Sequence, residues 1–238
     1  MWTLALICIL LINSLLSSDI FDIFKKCKIN DQACLKTSIN KGLPKLANGL
    51  ETINLPPLDP YIFGNSVTDE NGFLQEYFNL TFIGFSNVDV LNIKIDLDFC
   101  RINLDLDLPR LLFDTGAHWK GDLDGNEVDL NFLAKMYCDN NNVKSLLNCK
   151  KVKKNELDYI EIVNGQTDLH FGNVTFSLTD TVGDKQHINK YFTGYFNENS
   201  EAEALVTKPA VDKNLGRLIQ FVTNKIFSKI PLSELFLE

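Results

Sequence analysis

The 238-residue sequence lacks the short motifs on which several common enzyme classes depend. It has no G-x-S-x-G to predict a hydrolase nucleophile, and neither G-x-x-x-x-G-K-[ST] nor G-x-G-x-x-G to predict a nucleotide site. Histidine is scarce: the chain has three, and none stands in H-E-x-x-H or another zinc-binding spacing. We therefore expect no catalytic residues, no metal site and no cofactor. We interpret His118, His170 and His187 as satisfied or exposed histidines.

A basic stripe is also missing. The net charge is -8 and the pI about 5.0, with Lys and Arg scattered among more numerous Asp and Glu. This pattern argues against nucleic acid and against an anionic membrane as standing partners. Hydrophobic residues make up 45% of the chain and include 17 Phe, so a large core can form.

Long apolar runs are absent after the first residues. Residues 1–18 are almost entirely apolar, end in small residues and precede the first charge at Asp19. They are too short to span a bilayer comfortably, which predicts a secretory signal peptide cleaved near Ser17 or Ser18. The alternatives are an uncleaved anchor and a buried strand. We expect residues 19–238 to be a single secreted domain, extracellular, monomeric and without stable membrane insertion.

The predicted mature chain has an odd number of cysteines, so at least one cannot form a disulfide within the chain. Cys8 leaves with the leader, and five cysteines remain in the mature chain. Secreted chains tend to form disulfides, and Cys27 and Cys34 are the best local pair. Cys138 and Cys149 flank an Asn-rich segment that resembles a turn between two strands, so we rank them second and expect Cys100 to be free.

The chain begins with signals for a short helix. Asp31 can cap a helix that carries Leu35, Ile39 and Leu43 on one face. Pro44 should bend or end this helix before Gly49 stops it. Three prolines between Leu55 and Pro60 then predict a stiff, extended connector.

From Ser66 to about Thr179 the pattern has the period of β-strands. Apolar residues alternate with polar ones before Cys100, and after Cys100 the alternation changes parity. Either a bulge or a tight reversal therefore lies near Cys100–Arg101. No Gly or Asn-Gly marks a hairpin there, so we favour a bulged, strongly bent strand. Further alternating runs cover 128–136 and 169–178.

The C-terminal region predicts one long helix. Apolar residues from Leu215 to Ile226 recur at helical spacing within a segment that runs from Glu198 to Ile230. Pro209 should kink the helix and Pro231 should follow its end. We infer an α+β fold: a long C-terminal helix wrapped by a strongly curved antiparallel β-sheet, with a short N-terminal helix.

The acidic segments are better interpreted as a polar turn and the solvent face of a sheet than as metal sites. Asp122 to Asn126 fails the EF-hand pattern, because Glu127 and Leu133 stand where Gly and Glu are needed. A polar turn is the better interpretation. The aspartates between 96 and 107 alternate with apolar residues, as on the solvent face of a sheet. Asn79-Leu80-Thr81 and Asn173-Val174-Thr175 are possible N-glycosylation sites.

Several segments, taken in order, resemble the takeout and juvenile-hormone-binding family of insects. They are the Cys27-x6-Cys34 spacing after a leader, Leu55-Pro56-Pro57-Leu58-Asp59-Pro60, Phe85-Ser86-Asn87-Val88, and an ending with Asn197-Glu198-Asn199 and Asn224-Lys225-Ile226-Phe227-Ser228-Lys229-Ile230-Pro231. The resemblance covers essentially the whole mature chain. It departs from the family around 115–127, where that family is rich in tyrosine and glycine and this chain has His118-Trp119.

The resemblance implies a tubular lipid-binding fold and a carrier of a small hydrophobic ligand, a juvenile-hormone-like terpenoid or a long-chain, fatty-acid-like lipid. The alternative is a chemosensory or feeding-related protein that engages a receptor and keeps its tunnel filled. A secreted esterase ranks last. Residues expected to line an apolar tunnel are Phe132, Met136, Phe171, Phe176, Leu218, Phe221 and Val222. Tyr137 and Tyr159 are candidates to offer a hydroxyl to an ester or epoxide oxygen.

Overall fold

The computed structural model describes residues 22–70, 72–123, 126–181 and 186–237, so the predicted leader lies outside the described residues. The described helices are α1 (Gln32–Gly42), α2 (Gln186–Glu198), α3 (Ser200–Phe227) and α4 (Leu232–Leu235). The described strands are β1 (Cys27–Lys28), β2 (Tyr61–Glu70), β3 (Phe73–Ile83), β4 (Asp89–Asp96), β5 (Arg101–Leu123), β6 (Asn126–Lys154), β7 (Leu157–His170), β8 (Asn173–Asp180) and β9 (Phe236–Leu237).

The short N-terminal helix is confirmed. The side chain of Asp31 accepts a hydrogen bond from the Cys34 backbone N–H at 2.9 Å, which caps α1 as predicted. A 3-10 turn, Leu43–Leu46, follows and carries Pro44. Asp59 of the proline-rich connector then binds the segment that joins β3 to β4. Asp59 accepts hydrogen bonds from the backbone N–H of Gly84 at 3.0 Å and of Ser86 at 2.8 Å.

Two very long strands organise an antiparallel sheet. β5 and β6 have 23 and 29 residues and pair over almost their whole lengths. On the side of β5 away from β6, β4 pairs with the first part of β5 and β3 with the later part. On the side of β6 away from β5, β8 pairs with the first part of β6 and β7 with the later part. β2 pairs with β3, and the sheet curls into a half-barrel around the C-terminal helices, as the sequence predicted.

A crease crosses the sheet at Pro109 and Asn140. On β5 the buried side chains change from even to odd positions between Leu108 and Leu111, and β6 changes parity at the same level. Pro109 has no N–H for the ladder, and Asn140 has a left-handed φ of 59°. Asn141 is fully buried there and donates to the carbonyls of Leu108 and Cys138 at 3.0 and 2.8 Å. The sheet therefore consists of two half-sheets joined at a bend.

The bulged, bent strand predicted near Cys100 is wrong. Asp96 and Arg101 are partners in an antiparallel pair, so the chain reverses tightly between β4 and β5. The Asp96 side chain accepts from the N–H groups of Asp98 and Phe99, each at 3.0 Å, and Cys100 has a left-handed φ of 47°. An aspartate-based turn thus replaces the glycine that usually marks a hairpin.

The cysteine pairing differs from the prediction in one bridge. Cys27 and Cys34 form a disulfide, as predicted. Cys149, however, pairs with Cys100, and Cys138 is a buried free thiol. Cys138 and Cys149 lie on the same strand, β6, roughly 35 Å apart at the usual rise per residue. Cys100 instead stands opposite Cys149 across the β5–β6 ladder.

The C-terminal helix has different limits from those predicted. Helical structure begins at Gln186 and is interrupted at Asn199, and α3 ends at Phe227. α3 runs through Pro209, so the interruption comes before the proline and not at it. Its 28 residues give it a length of about 42 Å. Leu215, Leu218 and Ile219 are buried against the sheet, as their spacing indicated.

Asparagines from the helices bind the exposed edges of the sheet. Asn40 of α1, Asn197 of α2 and Asn224 of α3 each accept from the N–H and donate to the C=O of one edge residue. The edge residues are Val90, Phe176 and Ile162, at distances of 2.7–3.2 Å. A primary amide reproduces the donor and acceptor of a neighbouring strand, so we name these contacts the asparagine clamps.

The disulfide pairing predicts the reactivity of the free thiol of Cys138. Burial raises the pKa of the Cys138 thiol to about 12, with a smaller contribution from the charge of Asp139. The folded mature protein should therefore show no thiol that reacts rapidly with an aromatic disulfide reagent at pH 8, and the protein unfolded without reductant should show one per chain. A rapidly reacting thiol in the folded protein would contradict this pairing.

The clamps predict a loss of stability on Asn224→Ala. The Ile162 N–H would lose its partner at a half-buried edge, which should lower the free energy of unfolding by about 2 kcal/mol in urea titrations. Asn148→Ala is the matched control, because Asn148 donates to the Asn164 side chain in an exposed position. It should change stability by less than about 0.5 kcal/mol. Equal effects of the two substitutions would contradict a special role for the clamp.

Candidate functional site

The concave face of the sheet and the inner faces of the helices enclose an apolar interior. Its buried side chains group into clusters that we name by position. The tip cluster consists of Ala117, Leu130 and Phe132 with half-buried neighbours that include Tyr77, Trp119 and Phe192. The central cluster is the largest and spans the crease. The base cluster consists of Leu46, Ile53, Leu55, Leu58, Leu218 and Ile230, with half-buried neighbours that include Phe221, Val222 and Ile226.

The seven predicted wall residues all belong to this interior. Phe132 lies in the tip cluster. Met136, Phe171 and Phe176 lie in or against the central cluster. Leu218, Phe221 and Val222 lie in or against the base cluster. The predicted set is therefore spread along the interior from tip to base and does not converge on one point.

The two tyrosines expected to offer a hydroxyl do not face this interior. Tyr137 stands between Met136 and Cys138, whose side chains are buried, and successive residues of a strand point to opposite faces. Tyr159 likewise precedes the fully buried Ile160, and Lys154 Nζ lies 5.0 Å from its ring centroid. Alternation therefore places Tyr137 on the outer side of the sheet, whereas Tyr159 lies at the rim near the end of α3 and Glu234 of α4.

Trp119 and Tyr77 provide polar groups inside instead. Trp119 packs edge-on against Phe132 with ring centroids 4.9 Å apart, and Phe192 and Phe196 of α2 approach it at 6.3 and 6.0 Å. Trp119 is not among the residues predicted from sequence, because only the β5–β6 register, in which it pairs with the buried Leu130, reveals that it faces inward.

The polar atoms of the tip cluster are incompletely satisfied. The indole N–H of Trp119 is buried and makes no hydrogen bond of normal geometry. It lies beside the Tyr77 hydroxyl, which donates to Gln75 Oε1 at 3.3 Å. Burial raises the pKa of Tyr77, and the neighbouring Trp119 N–H opposes part of this rise. The tip of the interior therefore combines aromatic surfaces with a neutral donor, which suits a hydrogen-bond acceptor such as a carbonyl or ether oxygen.

A charged bridge crosses the other face of the sheet at the same level. His118 Nδ1 lies 2.8 Å from Glu76 Oε2 on β3, and its Nε2 lies 2.9 Å from Asp129 Oδ1 on β6. The pKa of His118 is raised, mainly by the hydrogen bond to Glu76 and next by the hydrogen bond to Asp129. A carboxylate at each ring nitrogen favours the protonated imidazolium, in which both nitrogens donate. His118 thus joins three strands directly behind Trp119.

Two grooves lie outside this interior. One, of about 780 Å³, runs past the crease and is lined by residues that include Asn40, Pro109, Arg110, Asp139 and Asn173. The other, of about 520 Å³, lies beside the start of the described chain. In the described ranges no group of His, Cys, Asp and Glu is arranged to hold a metal ion. No helix of the described part has the length and apolarity needed to cross a bilayer.

Comparisons with known proteins identify a family model, a relative and a solved structure that this chain resembles. The family model for haemolymph juvenile hormone binding protein matches residues 4–237. The circadian clock-controlled protein daywake of Drosophila melanogaster is 20% identical over 224 residues, covering 89% of this chain and 86% of its own. The crystal structure of Epiphyas postvittana Takeout 1 superposes with a TM-score of 0.77 at 18% identity, covering 90% of this chain and all of that one.

The His118 bridge predicts a pH-dependent stability. Because its folded-state pKa lies above the unfolded value of about 6.5, the bridge stabilises fully below that value and loses its effect as the pH rises through the folded-state pKa. His118→Gln should therefore lower the urea midpoint at pH 5.5 more than at pH 9.5. His170→Gln, at an exposed position of β7, should lower neither midpoint. A deficit independent of pH would contradict the imidazolium.

Proposed function

The chain belongs to the haemolymph juvenile hormone binding protein family, and from that membership we propose that it is a secreted carrier of a small hydrophobic molecule. The cargo lies between the curled sheet and helices α2 and α3. Residues 1–18 are removed as a leader, and residues 19–238 act as one monomeric domain. No catalytic step belongs to this function.

The observation that carries the proposal is the position of the seven wall residues. Sequence pattern and resemblance predict these seven residues, and they pack in or against the tip, central and base clusters, which supports the proposal. Transfer of an apolar molecule from water into such an interior gains about 25 cal/mol per Å² of buried apolar surface. Terpenoids and long-chain lipids are the elongated apolar molecules that an interior lined with apolar side chains suits.

The tip cluster supports a neutral cargo with one acceptor oxygen. The Trp119 N–H is the buried donor that lacks a normal partner, and the rings of Phe132, Phe192 and Phe196 surround it. A molecule with an ester, ketone or ether oxygen satisfies this donor and places its chain toward the central cluster. We assign Trp119 and Tyr77 the orienting role first expected of Tyr137 and Tyr159.

The decisive experiment is mass spectrometry of organic extracts from the chain secreted by insect cells. A stoichiometric terpenoid or long-chain lipid would support the carrier. An empty protein that also takes up no apolar fluorophore would overturn it. A bound lipid that does not exchange with the fluorophore would favour the alternative, a receptor-engaging protein whose tunnel stays filled, with the exposed Tyr191, Tyr195 and Leu205 of α2 and α3 as its candidate surface.

A pair of neighbouring substitutions tests where the cargo lies. Ala134 faces the interior beside the tip cluster, and Leu133 faces outward with 45% of its surface exposed. Ala134→Phe should weaken probe binding about tenfold, a loss of about 1.4 kcal/mol, because the ring occupies space that the probe needs. Leu133→Phe adds the same ring outside and should leave binding unchanged. Thermal melts establish that both variants are folded. Equal affinities in both would place the cargo elsewhere.

A further inference from the structure

Phe78 is a large aromatic residue left uncovered on the outer face of the sheet. It lies in β3, and 39% of its surface is exposed. Directly after it begins the sequon Asn79-Leu80-Thr81. A single exposed aromatic residue is ordinary on a protein surface, and what distinguishes Phe78 is its position directly before the sequon.

A bulge in β3 directs Asn79 outward. The pairing with β5 shifts between Phe78 and Thr81, and Asn79 has a left-handed φ of 52°. Its backbone N–H donates to Asn65 Oδ1 at 3.0 Å. The residue is exposed, and within the described part of the chain no protein group binds its side-chain amide. The folded state therefore leaves this nitrogen accessible.

Glycines on both neighbouring strands leave room around the ring. Gly116 of β5 stands opposite Phe78, and a Cβ added there would lie 3.7 Å from the Phe78 Cβ. Gly64 of β2 stands opposite Leu80, and a Cβ added there would meet no described atom within 4 Å. Neither Gly116 nor Gly64 therefore places a side chain over the surface beside Phe78 and Asn79.

We propose that Asn79 carries an N-linked glycan whose first N-acetylglucosamine packs on the ring of Phe78. In this modification the side-chain nitrogen bonds to the anomeric carbon of the sugar while the bond from that carbon to a lipid-linked pyrophosphate donor breaks. The nitrogen gives up one proton and the lipid pyrophosphate leaves. The C–H groups of the sugar cover the aromatic face, as apolar groups do on other exposed rings. The inference rests on secretion, which is part of the proposed function.

The second sequon lacks this arrangement. Asn173 is exposed at the start of β8 and lines the groove at the crease. The phenylalanine that precedes it, Phe171, is half-buried against the central cluster. A glycan on Asn173 would extend into the groove without packing on that ring, so Asn173 provides the matched comparison within the same chain.

Secretion of the full chain from insect cells, followed by glycopeptide mass spectrometry, tests the modification. Asn79 should be occupied, and Asn79→Gln should remove one glycan mass. Asn79→Gln should also lower the Tm by about 2 °C, whereas Asn173→Gln should leave the Tm unchanged. In a Phe78→Ala background, Asn79→Gln should lower the Tm by less, because the sugar has lost its contact surface and only the cost of Gln at the left-handed φ remains.

The outcomes separate this inference from the carrier. Secreted protein with Asn79 unmodified overturns the glycan and leaves the carrier standing. An occupied Asn79 whose loss lowers the Tm equally with and without Phe78 overturns the packing. A glycosylated protein with no lipid and no probe uptake overturns the carrier alone. A chain that never reaches the medium overturns the secretion on which both proposals depend.

Discussion

The need to satisfy the open edges of a curled sheet determines how the rest of this molecule is assembled. A half-barrel does not close on itself, so β4, β7 and β8 each leave backbone N–H and C=O groups without a neighbouring strand. Helices packed beside these edges have their own backbone groups occupied internally. The asparagine clamps solve this, because one side-chain amide binds both groups of one edge residue. They fix the position of each helix along the sheet.

Helices held at the edges leave the concave face free for apolar side chains. α3 is fixed to β7 by Asn224 and by Asp212, which accepts from the Leu169 N–H at 2.8 Å. Between these points the helix comes close to the sheet at Gly216, where a Cβ would lie 3.0 Å from the Thr167 hydroxyl oxygen. The tip, beneath the separate helix α2, is lined by aromatic rings around Trp119 instead.

Sequence pattern predicted the architecture well and the local exceptions poorly. Alternation and helical spacing are repeated over many residues, so the curled sheet, α1 and the buried face of α3 could be predicted. The wrong predictions each depended on the local contacts of a single side chain. Asp96 makes the β4–β5 reversal without a glycine, and the buried Asn141 supports a bend inside β6 where four polar residues resemble a turn. Once β6 is continuous, the Cys138–Cys149 bridge is impossible and Tyr137 faces outward.

The segments that resemble the family acquire a physical meaning from these contacts. Asp59 of the proline-rich connector binds the Gly84–Ser86 backbone, and Asn197 and Asn224 of the ending are clamps. Each of them satisfies backbone groups that any curled sheet of this kind exposes, whatever it carries. Such residues therefore identify the scaffold and say nothing of the cargo, which agrees with a shared fold at 18% identity. If the chain is a carrier, as we propose, its cargo is selected by side chains that the scaffold does not require, and in this chain we assign Trp119 as the first of these, at the point where the sequence departs from the family pattern.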